Sequence, residues 1–426
     1  MNYTIIGNSA AAVAAIEAIR TIDKEGEIVL FSKEPQYAYS RPTITEFLAG
    51  ESVMPEKRMG YRSAEFYQQN NVTVYLSTAV MKVDPRKKTV LLDNRQEHPF
   101  DKLLIATGGT PIIPDTPGKD KPGVFSLITW DDAKKIKADL PQVDNIVVVG
   151  GGLIGMKTAE GLVKSGKKVT LIELMPHILG RIFDKSGAEL IQQYLTKKGV
   201  RIISETTVEE VLGENHIESV KLRDATILPC DMLIFAIGVK PNFELVNNSG
   251  IQVNRGIVVN ELMQTNFPDI YAAGDVAEAP DLLTGHKSII AIWPLAFQQG
   301  KIAGFNMAGE VKVYEGGVVQ NSIGILGLHT ISIGLVDPPD KNIEDYVVLA
   351  KKGISEFGYR KVIFQNDILV GVILVENIDR AGIYTGLIKE RTKFESDSDK
   401  QSLLDETFGL ITLPPEWRQE KLSRPV

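Results

Sequence analysis

The chain has 426 residues, 43% hydrophobic and 24% charged, which suits a soluble globular protein of two or three domains. Its 47 basic and 54 acidic side chains leave a net charge of −7 without a basic tract, which argues against nucleic acid as a partner. The single cysteine, Cys230, excludes an internal disulfide, a cysteine-ligated iron–sulfur cluster within this chain and a multi-cysteine zinc site, so no metal is expected. Met1 runs straight into a strand without the pattern of a secretion signal. No stretch reaches the roughly 18 apolar residues of a membrane span, so the expected location is cytoplasmic.

Taken in order, the chain opens with a strand at Tyr3 to Ile6, a turn at Gly7, an alanine-rich helix from about Ala10 to Arg20 and a second strand at Ile28 to Phe31. Ser9 and Ala12 stand where a dinucleotide-binding turn carries its second and third glycines. Alanine still allows close packing, and a serine hydroxyl can donate to a phosphate. Gly7, Ser9, Ala10 and Ala11 are therefore candidate phosphate-binding positions, with Ser32, Lys33 and Glu34 at the strand end as candidate cofactor contacts. Either Ser32 or Glu34 suits a ribose, and an alanine-rich packing helix is the competing explanation.

Three further stretches precede the middle of the chain: YAYSRPTITEFLAG at 37–50, Thr78-Ala79-Val80 ahead of VDPRKKTVLL, and FDKLLIATGG at 100–109. In the last of these a buried strand, Leu103 to Ala106, delivers Thr107 and Gly108 to a tight turn. The segment 110–123 is rich in proline and glycine and reads as a hinge.

The strongest motif occupies 145–173. An apolar strand breaks at Gly150, which permits the turn; Gly152 leaves room for a pyrophosphate; Gly155 lets helix and strand pack tightly. Leu153 and Ile154 begin a helix whose free N–H groups and positive dipole end suit phosphates. Glu173 ends the next strand at the spacing at which a carboxylate accepts hydrogen bonds from ribose hydroxyls, favouring NAD(H) over NADP(H).

Cys230 precedes a buried strand that turns at Gly238 and Pro241, and it reads as a structural thiol. A strand at Asp269 to Ala273 ends on Gly274 and Asp275, placing a carboxylate where open α/β sheets bind ligands. A helix carrying Trp293 and Pro294 follows. From Tyr314 the pattern becomes strands, with Asn366-Asp367 as a hairpin turn, and Thr392 to Val426 carries no chemical motif.

Two nucleotide units imply two cofactors. From Met1 to about Gly309 the layout resembles the FAD- and NAD-dependent pyridine nucleotide oxidoreductases, in the branch of rubredoxin and ferredoxin reductases and the flavin half of assimilatory nitrite reductase. The resemblance implies an α/β fold with two Rossmann-like dinucleotide-binding domains, FAD over 1–113 and 240–313 and NAD over 114–239. A C-terminal α+β interface domain over 314–426 would lie against the flavin, and in the family it commonly supports dimerisation.

It also implies that 37–50 lies along the flavin ring, with Arg41 and Pro42 where disulfide reductases carry a redox cysteine. Val80 would lie in the strand bracketing the adenine of FAD, and Ala106, Thr107 and Gly108 form the family's ATG motif. Asp275 would accept hydrogen bonds from the ribityl hydroxyls, Trp293 would lie near the flavin's pyrimidine end, and Gly238 marks the exit from the NAD domain. Glu46 stands where several ferredoxin reductases have lysine, and Lys157 where many relatives have glutamate. A reciprocal contact between Glu46 and Lys157 that tunes the flavin is the corresponding expectation.

The chemistry so implied is hydride transfer between nicotinamide and flavin stacked at about 3–3.5 Å, which requires positioning rather than a nucleophile. With no cysteine to take the electrons, the implied partner is a rubredoxin, a ferredoxin or an iron–sulfur subunit. One version is the NAD-reducing subunit of a 2-oxoacid oxidoreductase complex. The competing readings are an NADH oxidase that uses oxygen directly and a redox-sensing flavoprotein scaffold. A homodimer or a place in a larger complex is the expected assembly.

Overall fold

The computed structural model describes residues 1–50 and 52–409, so the end of the motif-free tail, from 410 onward, lies outside the described residues. The chain forms two compact units. The first comprises Met1–Ile112, Ile128–Trp130 and Val239–Gly317; the second comprises Ile113–Leu127, Asp131–Gly238 and the described residues from Val318 onward.

The first unit is built on a five-stranded parallel sheet in the order Ile270–Ala272, Lys102–Ile105, Asn2–Ile6, Glu27–Phe31, Val72–Tyr75. Its inner strands are nearly continuous Ile, Leu and Val, as expected where both faces are covered. A three-stranded antiparallel sheet, Val80–Asp84, Thr89–Leu92 and Glu97–Pro99, branches from it.

The helix Ala10–Ile22 is buried on almost every side, which only small side chains allow. It crosses the helix Trp293–Met307 backbone to backbone. A Cβ added at Gly300 would strike the Ala11 carbonyl, and one at Gly304 would lie 2.6 Å from the Ala15 carbonyl oxygen.

The second unit repeats the plan. Its parallel sheet runs Arg201–Ile203, Lys168–Ile172, Asn145–Val149, Met232–Phe235, Val124–Ser126, and an antiparallel sheet of Val208–Leu212, Ser219–Leu222 and Ile227–Pro229 accompanies it. The fold is thus α/β, with two Rossmann-like sheets and a C-terminal α+β portion.

That last portion is a five-stranded antiparallel sheet in the order Gln320–Ile325, Leu328–Gly334, Ile368–Val375, Tyr359–Gln365, Tyr346–Lys352. Asn366 and Asp367 join two of these strands with φ of 50° and 66°, the left-handed pair that a two-residue hairpin requires. The helix Ala381–Lys389 packs on Leu328–Gly334 and Ile368–Val375.

A buried ion network ties the helix Lys185–Lys197 to this sheet. Its N-cap, Asp184, accepts from Gly187 N (3.0 Å), Tyr359 OH (2.6 Å) and Lys361 Nζ (3.1 Å), while Lys361 also reaches Asp337 at 2.6 Å. Among the described residues no helix is long and apolar enough to cross a membrane, and no cluster of three or more metal-ligating side chains occurs.

Candidate functional site

Each unit carries a strand-turn-helix-strand at the middle of its parallel sheet, and the two are locally equivalent. Gly7 N bonds Phe31 O at 2.8 Å in the first, and Gly150 N bonds Ile172 O at 2.8 Å in the second. The two glycines take φ of 106° and 112°, and a Cβ on either would strike the carbonyl of Ala106 or Ala236, so only glycine fits.

The helices that follow are capped differently. Ser9 caps Ala10–Ile22 with no side-chain hydrogen bond, which leaves its hydroxyl available to a ligand, and Ala10 and Ala11 form the first turn. Gly152 caps Leu153–Lys164, with Leu153 and Ile154 in the first turn. A Cβ on Gly155 would overlap the Gly150 carbonyl oxygen, whereas one on Gly152 would meet no atom within 4 Å. Gly152 has φ of −79°, so neither its backbone nor its packing demands glycine. The remaining reason is approach by a molecule outside the chain, and a pyrophosphate at a helix N-terminus fits it.

Glu173 stands at the end of Lys168–Ile172 as expected. One carboxylate oxygen accepts from Gly151 N at 2.5 Å and the other from Met175 N at 2.8 Å, so the acid is oriented by the turn that it faces. Gly238, with φ of 118°, lies just beyond the carboxyl end of Met232–Phe235, and a Cβ there would likewise meet nothing.

In the first unit, Ser32 occupies the position equivalent to Glu173. It is buried, and its hydroxyl donates to the Glu34 carbonyl at 3.2 Å. Glu34 itself is engaged: one carboxylate oxygen pairs with Arg41 and the other accepts from Tyr39 OH at 2.6 Å. Arg41 also donates to Ile128 O at 3.1 Å and lies 4.9 Å from the centre of the Tyr39 ring, while Trp130 N donates to Tyr39 OH at 3.1 Å. Burial works against the Arg41 charge, but Tyr39 and Glu34 outweigh it and hold its pKa above the ordinary value. Lys33 is exposed, and Pro42 is exposed in the turn Arg41–Thr43.

Thr107 and Gly108 follow Lys102–Ile105. Ala106 is buried, with its N–H on Ile6 O at 2.8 Å. Asn242 fixes the turn: it accepts from Thr107 Oγ1 through its carbonyl at 2.7 Å, donates from its side chain to Thr107 O at 3.1 Å, and donates from its backbone N–H to Gly108 O at 2.9 Å.

Gly274, with φ of 80°, follows Ile270–Ala272, and its N–H donates to the buried Gln299 at 2.8 Å. The half-buried Asp275 comes next. Burial pushes its carboxyl pKa up, and the Arg41 charge pulls part of that back. A carboxylate so placed gains from a ligand hydroxyl that donates to it, which fits a ribityl chain.

Trp293 opens its helix half-exposed and meets Tyr61 edge-on at 5.2 Å. Val80 opens the strand Val80–Asp84 opposite Leu92.

Glu46 is half-exposed on the helix Ile44–Leu48 in the first unit. Lys157, in the second, pairs with Glu160 and donates to Gly324 O at 3.1 Å. Burial opposes the Glu160 charge, yet Lys157, Lys164 and the Leu326 N–H (2.9 Å) together hold its pKa below the usual range. Cys230 is fully buried in the second unit, donates to Met232 O at 3.1 Å, and has its thiol pKa pushed up to about 12 by burial.

Sequence reasoning missed Gln299, Asn242 and Tyr39. Gln299 left a signal, a polar side chain on the buried face of an apolar helix. The partners of Asn242, Thr107 and Gly108, lie too far along the chain for spacing to reveal them, as does Trp130, whose N–H meets Tyr39; the Tyr39 contacts to Glu34 and Arg41 are close in sequence but depend on a bend that no pattern marks.

Residues 1–300 match the family described as pyridine nucleotide-disulphide oxidoreductase, and residues 321–392 match the rubredoxin NAD+ reductase C-terminal domain. The chain is 35% identical over 393 residues to the NADH-dependent phenylglyoxylate dehydrogenase subunit epsilon of Aromatoleum evansii, covering 92% of each. It is 33% identical over 402 residues to the nitrite reductase [NAD(P)H] of Bacillus subtilis (strain 168), covering 94% of this chain but 48% of that one, so it spans about half of that relative. A solved chain of the covalent putidaredoxin reductase–putidaredoxin complex superimposes with a TM-score of 0.86 at 25% identity, covering 95% of this chain and 96% of that one.

Proposed function

This chain belongs to the pyridine nucleotide-disulphide oxidoreductase family, whose members bind FAD and NAD(H), and on that premise we propose that it is an FAD-dependent NADH:acceptor oxidoreductase exchanging single electrons with a rubredoxin, ferredoxin or iron–sulfur partner subunit. One observation carries the choice of acceptor. The sole sulfhydryl is buried at Cys230, and Arg41 and Pro42 occupy the stretch where disulfide-reducing relatives hold their redox cysteine. Electrons then have no thiol to enter. The relative named as subunit epsilon of a phenylglyoxylate dehydrogenase, matched over nearly its whole length, supports the version in which this chain is the NAD-reducing subunit of a 2-oxoacid oxidoreductase complex.

Bound FAD supplies the exchange between a hydride donor and one-electron carriers. The chain's own residues hold and orient. In this reading the FAD domain is 1–113 with 240–313: Gly7, Ser9, Ala10 and Ala11 face the pyrophosphate, and Asp275 accepts from the ribityl hydroxyls. Ser32, Lys33 and Glu34 border the ribose, Val80 borders the adenine, and Ala106, Thr107 and Gly108 form a turn that Asn242 keeps rigid. Arg41, Pro42, Glu46 and Trp293 line the ring.

The NAD domain is 114–239. Gly150, Gly152, Leu153, Ile154 and Gly155 receive the pyrophosphate, Glu173 takes the ribose hydroxyls, and Gly238 leaves room where the chain departs. Residues 314–426 form the interface domain, and the enzyme works in the cytoplasm.

The test is an anaerobic NADH titration of the purified protein, read by flavin absorbance, with and without iron–sulfur protein captured from native extract. Bleaching by NADH with rapid reoxidation by the carrier supports the proposal. Fast NADH consumption in air without any carrier would replace it with an NADH oxidase. Slow reduction that changes the oligomeric state would replace it with a redox-sensing scaffold.

A further inference from the structure

Asn8 stands between Gly7 and Ser9 in the first nucleotide turn, where the glycine pattern gives its side chain no task. The structure holds that side chain by one end. Tyr67 OH donates to Asn8 Oδ1 at 2.5 Å, a separation that suits O–H···O and is too short for an amide N–H, so the amide nitrogen is turned away from the phenol. Asn8 Nδ2 is buried and meets no acceptor among the described residues.

The group that holds Asn8 is itself fixed. Tyr67 is fully buried on the helix Ala64–Gln69, and Ala38 N donates to its hydroxyl at 3.3 Å. Arg20, buried on Ala10–Ile22, grips the far end of that helix: its Nε donates to Asn70 O at 2.6 Å and a terminal nitrogen to Asn71 O at 3.2 Å. The helix that Ser9 caps thus reaches round to steady the residue that orients Asn8. A donor that is buried, oriented and unpaired costs stability in the free protein. An arriving acceptor offsets that cost, and the oxygens of a diphosphate at a helix N-terminus are strong acceptors.

We propose that Asn8 is a further cofactor-binding residue, whose side-chain N–H donates to a diphosphate oxygen of FAD, and that Tyr67 is the positioning residue that aims it. The inference rests on the proposed function for the identity of the cofactor. It adds a side-chain amide to a turn whose other expected donors are backbone N–H groups and the Ser9 hydroxyl. Through the same phenol, Ala38 at the start of the segment 37–50 is tied to the phosphate turn.

Titration of the full-length apoprotein with FAD, followed by flavin fluorescence, tests both parts, with thermal melting of each apoprotein alongside. Asn8→Asp keeps an acceptor for Tyr67 but puts a carboxylate where the diphosphate needs a donor. Its FAD dissociation constant should rise by about a hundredfold or more while the apoprotein melts as the wild type does. Tyr67→Phe leaves the donor in place without its guide and should raise the constant by only about three- to tenfold. A side chain that merely braced the turn would give the reverse order, with Asn8→Asp mild and Tyr67→Phe severe. Should Asn8→Asp fold poorly, Asn8→Ala makes the same distinction. It loses brace and donor together, so it should bind FAD about tenfold more weakly than Tyr67→Phe, and adding Tyr67→Phe to it should change nothing further. Asn8→Ala and Tyr67→Phe of equal affinity, or Asn8→Asp binding FAD as the wild type does, would overturn the inference alone. A wild type that takes up no FAD would overturn the proposed function and this inference together.

Discussion

The carboxylate of Glu173 accepts the amide proton of Gly151 at 2.5 Å, so the acid at the end of one strand grips the turn that opens the neighbouring helix. In the proposed function, selectivity for the nucleotide and stiffness of its phosphate loop would share this side chain. Replacing Glu173 by Ala should raise the KM for NADH by about 10–100-fold, the loss of a charged hydrogen bond to sugar, and should narrow the preference over NADPH. Steady-state kinetics with both nucleotides measure this. An unchanged NADH:NADPH ratio would detach Glu173 from the ribose.

Asp275 is expected to oppose folding and favour cofactor binding. Its raised pKa means that the ionised form is less comfortable in the folded apoprotein than in the unfolded chain, so this cost is present above the folded pKa and fades as pH falls toward the ordinary carboxylate value. Asp275→Asn should therefore raise the melting temperature of the apoprotein at neutral pH while weakening FAD binding by roughly tenfold or more. Scanning calorimetry of the apoprotein and flavin titration read the two effects separately. Tight FAD retention by the variant would remove Asp275 from the site.

Glu160 has the opposite sign. Its lowered pKa adds stability above about 4.5 and loses it as pH falls through the folded value. Because Lys157, Lys164 and Leu326 N converge on it, Glu160→Gln should cost about 1–3 kcal/mol near neutrality. The gap between wild type and variant should narrow as pH falls below the ordinary glutamate value and close once Glu160 is protonated in the folded protein. Denaturant unfolding at several pH values checks this, and a gap that does not depend on pH would place the stabilisation elsewhere.

Gly300→Ala puts a methyl group against the carbonyl of Ala11 and must push the helices Ala10–Ile22 and Trp293–Met307 apart. A loss of about 1–3 kcal/mol is expected, with reduced flavin content because Ser9 sits at the start of one helix and Trp293 at the start of the other. Gly309→Ala, which meets no neighbour at its Cβ, is a control for the packing effect, although its φ of 91° adds strain of its own.

Periodicity and glycine spacing located the turns at Gly7 and Gly150, the place of Glu173 at a strand end, the Gly274-Asp275 strand end and the Asn366-Asp367 hairpin, because each is fixed within a few residues by backbone geometry. Side-chain allegiance was not legible in the same way. Glu34 has the spacing of a ribose acid, yet its carboxylate turns to Arg41 and Tyr39, which a bend of the following loop brings back onto it. Lys157 suggested a partner on the strength of the residues found at matching positions, and the structure gives it Glu160 one helical turn away. The seam between Gly300, Gly304 and Ala11, Ala15 did leave a trace, small residues four apart on both helices. Nothing local showed that the two stretches meet.

That seam has a consequence for how the polypeptide is made. The first sheet borrows its outermost strand, Ile270–Ala272, and its covering helix from the far side of an intervening segment that belongs to the other unit. A ribosome releases the N-terminal βαβ long before its complement exists, so the nascent Met1–Ile112 piece must wait with an open sheet margin and an uncovered alanine face. Truncation anywhere before Met307 strands it there, exposed to aggregation and to chaperones.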